Sequence, residues 1–115
     1  MKISNSLLKI GVLASGGGTN LQAIIDACRN KKIAAVVAMV ISNKENAFAL
    51  ERAKKHNIMG VFIDPKKCDF NREAIKVLEK QNVDLVCLAG FLLKLSRVFI
   101  KKYACKILNI HPALL

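Results

Sequence analysis

The strongest constraint on this chain is an alternation of two segment lengths. Short apolar runs, mostly β-branched, recur at residues 8–14, 34–42, 60–63, 84–89 and 107–110. Amphipathic stretches separate them at 20–30, 47–57, 72–81 and 97–103. Connections of that length do not close hairpins; they carry the chain back across a sheet face as a helix, so consecutive strands run parallel. The expected fold is therefore α/β: an open parallel sheet of Rossmann-like type, helices on both faces, strand order 3-2-1-4-5. The runs at 34–42 and 84–89 are apolar throughout, the pattern of strands covered on both faces.

Local chemistry fills in the elements. Thr19-Asn20-Leu21-Gln22 fits a capping box, with Thr19 as cap and Gln22 reaching back, and Leu21, Ile24, Ile25 and Cys28 then share one helix face. Phe48, Ala49, Leu50 and Ala53 supply the apolar positions of the second helix. Asp64-Pro65-Lys66-Lys67 is turn chemistry. Asn71 is the expected cap of the third helix, with Ile75, Val77 and Leu78 inward, and Ser96 the cap of the fourth.

At 115 residues the chain has the size of one domain, and 53% apolar residues exclude disorder. No apolar run approaches the length of a membrane helix, so no membrane association is expected. A signal peptide is not expected either, because Lys9 interrupts the first apolar stretch and three glycines follow it. Cys28, Cys68, Cys87 and Cys105 lack the close spacing of a zinc or redox motif, which points to reduced thiols, a cytoplasmic location and no metal. A net charge of +11 favours anionic partners. The lysines are scattered, however, and one Tyr with no Trp leaves little to stack bases on, so nucleic acid is not an expected partner.

In such a sheet, ligands bind beyond the carboxyl ends of the strands where the order reverses, here between strands one and four. Ser15-Gly16-Gly17-Gly18-Thr19-Asn20 follows strand one. Glycines let the backbone approach an anion, and the N–H groups of the next helix point at it. The segment lacks the Gly-Lys-Ser/Thr ending of a nucleotide P-loop. Leu21 stands where a dinucleotide fingerprint needs its third glycine, and Ser42-Asn43 where it needs an acid. A single phosphate fits better, with a ligand-free tight turn as the other reading. Asn109-Ile110-His111-Pro112 closes strand five, and alternation puts Asn109 and His111 on one side. An amide donor beside an imidazole suits a tetrahedral oxyanion, although a structural histidine at a strand end explains the pattern as well. Ala89-Gly90-Phe91-Leu92-Leu93 could wall a flat heteroaromatic ligand or simply pack into the core, and Arg72 could reach a carboxylate or only water. His56, among lysines at a helix end, reads as solvated.

These segments together resemble the phosphoribosylglycinamide formyltransferases, folate-dependent transferases of purine synthesis. The resemblance runs through Ser15-Gly16-Gly17-Gly18-Thr19-Asn20-Leu21-Gln22-Ala23-Ile24-Ile25, Ile41-Ser42-Asn43-Lys44, Asn71-Arg72-Glu73, Leu88-Ala89-Gly90-Phe91 and Leu108-Asn109-Ile110-His111-Pro112. The sister transferases acting on initiator methionyl-tRNA share the Asn-x-His pair but lack this glycine loop. The resemblance implies formyl transfer from 10-formyltetrahydrofolate to the amine of glycinamide ribonucleotide. It implies that Gly18, Thr19, Asn20, Leu21 and Gln22 hold the ribonucleotide's phosphate. Arg72 would meet the carboxylate end of the folate, and Leu92, Leu93, Lys94 and Leu95 its pterin. Asn109 and His111 would act on the formyl carbon. Leu93 departs from the pattern, standing where many relatives carry a basic residue, with Lys94 beside it.

The larger departure is length. The resemblance implies a third catalytic group, an aspartate on a later loop, together with further C-terminal strands, and none of these lies within the 115 residues. The chain is accordingly read as a single formyltransferase-type N-terminal domain over 1–115, truncated after the Asn-x-His-Pro motif. Three readings follow: a fragment of the transferase with little activity alone, a short chain completed by a partner, or a non-catalytic phosphate-binding module. Strand five would then be an apolar sheet edge open to self-association.

Overall fold

The computed structural model describes residues 7–110. Five strands and four helices alternate: β1 (Leu8–Leu13), α1 (Thr19–Arg29), β2 (Ala35–Ser42), α2 (Phe48–Lys55), β3 (Met59–Phe62), α3 (Phe70–Lys80), β4 (Leu85–Leu88), α4 (Arg97–Lys102) and β5 (Ile107–Asn109). All strand pairs are parallel, in the order β3-β2-β1-β4-β5, as the alternation requires. None of the helices in the described residues is long and apolar enough to cross a membrane.

Side-chain alternation splits the core into two layers. Ile10, Val12 and Val37 face one way and meet Leu21, Ile24 and Ile25 of α1 with Ala49 and Ala53 of α2. Leu13, Met39 and Ile41 face the other way and meet Phe70, Ala74 and Leu78 of α3 with Phe99 of α4. Gly11 lies in the second layer's contact with α3: a Cβ there would stand 2.5 Å from Leu78 Cδ2, so α3 rests on bare strand. The second layer is not complete over β2. Val36 joins neither cluster and is 41% exposed, so this strand is not covered on both faces along its whole length.

Two expected caps are replaced. Asp69, not Asn71, caps α3, its side chain accepting from the Arg72 N–H at 3.3 Å. Burial decides this: Phe70 is 3% exposed, and seating it as the first helical residue moves the cap upstream. Asn71 then lies inside the helix, and its Oδ1 accepts from the Ser96 N–H at 2.9 Å, tying α3 to the approach of α4. At α1 the N-cap is Gly18, and no side chain caps the helix. The Gln22 side chain turns to α2 instead of reaching back. Ser96 does cap α4, accepting from the Phe99 N–H at 3.2 Å, and the turn at Asp64 forms with Lys67 N–H on the Asp64 carbonyl. Phe48 is 67% exposed, so α2 is buried chiefly through Ala49, which lies against the loop after β1, and Ala53, which lies against Gly60 of β3.

Candidate active site

The turns after β1, β2 and β4 meet at the carboxyl end of the sheet, and one hydroxyl joins them. Buried Ser15 donates from Oγ to Asn43 Oδ1 at 2.7 Å and accepts from the Leu92 N–H at 2.9 Å. Its own N–H donates to the Gly90 carbonyl at 3.3 Å. Sequence reading does not find this role for Ser15 and Asn43. The available signal is two polar residues placed directly after wholly apolar strands, where a buried polar group needs a partner.

Beyond Ser15 the three glycines differ. Gly18 has φ +81°, and a Cβ on it would lie 3.0 Å from the Ala49 Cα. A Cβ on Gly16 or Gly17 would meet nothing within 4 Å. These two border an open groove of about 430 Å³ whose other side is Lys44 to Phe48. The α1 N-terminus opens beside them. The first helical bond is Gln22 N–H to the Gly18 carbonyl at 2.8 Å, leaving the N–H groups of Thr19, Asn20 and Leu21 without side-chain caps. No acid stands in the first turn. Uncapped N–H groups at the positive end of a helix dipole favour an anion.

Across the sheet, Ile41, Leu13, Leu88 and Asn109 lie in one row of paired positions. Asn109 is exposed at the end of β5, two strands and about 10 Å from β1. It shares a parity, and so a sheet face, with Ile107, which packs on the α3–α4 layer. On that face Leu93 and Leu95 are half-buried against the core, whereas Leu92 is 82% exposed and Lys94 is exposed. Phe91 packs on Phe70 with ring centroids 5.4 Å apart. A separate cavity of about 430 Å³ lies between α3 and the start of α4, bordered by Arg72, Ile75, Ser96 and Val98.

The match to a family model described as formyl transferase covers residues 8–115. The chain belongs to the formyl transferase family. Its similarity to the phosphoribosylglycinamide formyltransferase of Escherichia coli (strain K12) is 45% identity over 113 residues, covering 94% of this chain and 53% of that protein. The trifunctional purine biosynthetic protein adenosine-3 of Homo sapiens is 41% identical over 111 residues, 93% of this chain and 11% of that protein. Among solved structures, glycinamide ribonucleotide transformylase 1 from Symbiobacterium toebii aligns with a TM-score of 0.87 at 40% identity, covering 91% of this chain and 51% of that one. The chain thus spans about half the length of the single-function relatives it matches.

Within this formyl transferase domain the expected site residues fall into three groups. Gly18, Thr19, Asn20 and Leu21 are together at the α1 N-terminus, where no side chain caps the first turn. The Leu21 side chain is fully buried in the core. Gln22 is committed elsewhere: its Nε2 donates to Asp26 Oδ1 at 2.9 Å, and its Oε1 accepts from Arg52 Nη1 at 3.2 Å and faces His56 Nε2 at 3.3 Å. His56 is therefore half-buried and paired, not solvated. Leu93 and Leu95 pack on the α3–α4 side of the sheet, the face that Asn109 shares by parity, whereas Leu92 and Lys94 are exposed, and Arg72 borders the separate cavity at the start of α3. His111 lies outside the described residues. Among the thiols, burial and then the neighbouring Cys28 push Cys87 up to about 11, and burial raises Cys28.

Proposed function

We propose that the protein carrying this chain transfers the formyl group of 10-formyltetrahydrofolate to the amine of glycinamide ribonucleotide, in the cytoplasm. The observation that carries this reading is the uncapped N-terminus of α1, which directly follows a glycine turn bordering an open groove at the carboxyl end of the sheet. The names of the relatives supply the substrates. The ribonucleotide's phosphate would rest on the N–H groups at residues 17–21, with Gln22 supporting the turn from behind.

The folate would lie on the α3–α4 side, its carboxylate end toward Arg72 and its pterin against Leu92, Leu93, Lys94 and Leu95. The free amine attacks the formyl carbon, and the C–O double bond opens to an oxyanion. Asn109 donates a hydrogen bond to that oxygen, and protonated His111 stabilises it. As the C–N bond to the folate breaks, His111 delivers its proton to the departing nitrogen, and the amine proton leaves to solvent or a base. The formyl group is already activated on the folate nitrogen, so this chain's residues need only bind, orient, stabilise charge and supply that proton.

The test is formyl transfer by the full-length protein, followed by the absorbance change of the folate. Deformylation that depends on glycinamide ribonucleotide is expected. No dependence on that amine, or equal use of methionyl-tRNA, would refute the assignment.

A further inference from the structure

Arg52 stands on α2, outside every segment assigned to a substrate, and faces the back of the glycine turn. Its Nε donates to the Gly17 carbonyl at 2.9 Å, and its Nη1 to Gln22 Oε1 at 3.2 Å. One turn earlier, the Ala49 N–H donates to the Gly16 carbonyl at 3.1 Å. Two successive carbonyls of the turn are therefore held against α2. No peptide bond in the described residues is cis, and in a trans peptide the C=O and N–H of one unit point in opposite directions. Fixing the Gly16 and Gly17 carbonyls on α2 accordingly turns the N–H groups of Gly17 and Gly18 away from it. A flip of the Gly17–Gly18 unit would present an oxygen where an anion should meet an N–H, and would repel it.

The α1 dipole does not fix this unit, because it precedes the helix. Among the described residues the Gly16 carbonyl is held by the Ala49 N–H, and that of Gly17 by the Arg52 side chain alone. The guanidinium is itself oriented, since its second acceptor, Gln22, is pinned by Asp26 and His56. Among the described residues no carboxylate forms an ion pair with Arg52, so its charge stays behind the turn uncompensated.

We propose that Arg52 is the positioning residue of the anion-binding turn, setting through the Gly17 carbonyl the direction of the Gly18 N–H that receives the ligand's phosphate. This rests on the phosphate assignment made above. In the full-length protein, Arg52→Met keeps most of the stem and removes both donors. The KM for glycinamide ribonucleotide should rise about ten- to a hundredfold, the loss expected for one charge-assisted hydrogen bond. The KM for the folate and kcat should stay near wild type. A role confined to stability would instead lower the melting temperature and leave the ribonucleotide KM unchanged. An unchanged ribonucleotide KM, or an equal rise for both substrates, overturns the proposal. If Arg52→Met does not fold, Arg52→Lys carries the same test, because an ammonium keeps the charge but not the planar fork that spans Gly17 and Gln22. If the wild-type protein uses no ribonucleotide, the functional reading fails separately, and calorimetric binding of inorganic phosphate decides for Arg52. Weaker phosphate binding in the variant supports the inference; equal binding, or none to the wild type, overturns it.

Discussion

Replacing Gly18 by alanine separates the glycine that serves the fold from the two that serve the groove. Gly18 holds φ 81° and ψ 21°, a left-handed conformation that costs an alanine about 1 kcal/mol. Its methyl would also stand 3.0 Å from Ala49 Cα and 3.0 Å from Arg52 Cδ. The arginine stem can move, but Ala49 Cα is backbone, so α2 itself must shift. Overpacking of that kind costs about 1–3 kcal/mol, for a total of roughly 2–4 kcal/mol. In a domain of this size the melting temperature should fall by roughly 8–16 °C. Gly17→Ala is the matched control. Its φ is not positive and its methyl would enter open space, so stability should stay within about 0.5 kcal/mol. That methyl nevertheless borders the groove where the phosphate would rest, and the bulkier Gly17→Val should weaken ribonucleotide binding without lowering the melting temperature. Thermal unfolding followed by circular dichroism reads the first effect, and calorimetric binding the second. A Gly18→Ala protein melting within about 2 °C of wild type, or a Gly17→Ala protein losing as much as Gly18→Ala, would refute the division.

Three further expectations concern single residues. Ser15→Ala removes the shared partner of Asn43 Oδ1 and the Leu92 N–H and should cost about 2–3 kcal/mol in urea unfolding; a change indistinguishable from zero would mean that the hydroxyl does not join the turns. Cys87, its thiol pushed up to about 11 by burial, should resist alkylation at pH 8 in the native protein while exposed Cys68 and Cys105 react. Because the folded value lies above the unfolded one, the Cys87 contribution to stability is complete below the ordinary thiol range and is lost as pH rises toward about 11; rising stability across that window would contradict the assignment. His111→Ala in the full-length protein should lower kcat by about 10²–10⁴-fold with ribonucleotide affinity nearly intact, and an equal loss of binding would deny His111 a chemical role.

Much of this molecule is legible in the sequence, because the relevant forces are local. Apolar periodicity and connection lengths determine the alternation of five parallel strands with four helices, since a crossover of that length carries a helix and a buried strand has one pattern. The Ser96 cap and the Asp64 turn likewise depend on neighbours within a few residues. Where a residue had two suitors, sequence reasoning chose the nearer one and the fold chose the other. Gln22 leaves its capping box for Arg52 and His56 on another helix, and Asn71 gives up the α3 cap because burying Phe70 starts the helix earlier and frees Asn71 for Ser96. The glycine run is visible in the sequence as an anion-binding turn, but its three members are alike there. Only the approach of α2, through Ala49 and Arg52, makes Gly18 a packing residue and leaves Gly16 and Gly17 facing the groove. The sequence determines which segments stand at the carboxyl end of the sheet; contacts between residues some thirty positions apart decide which way their N–H groups and side chains point.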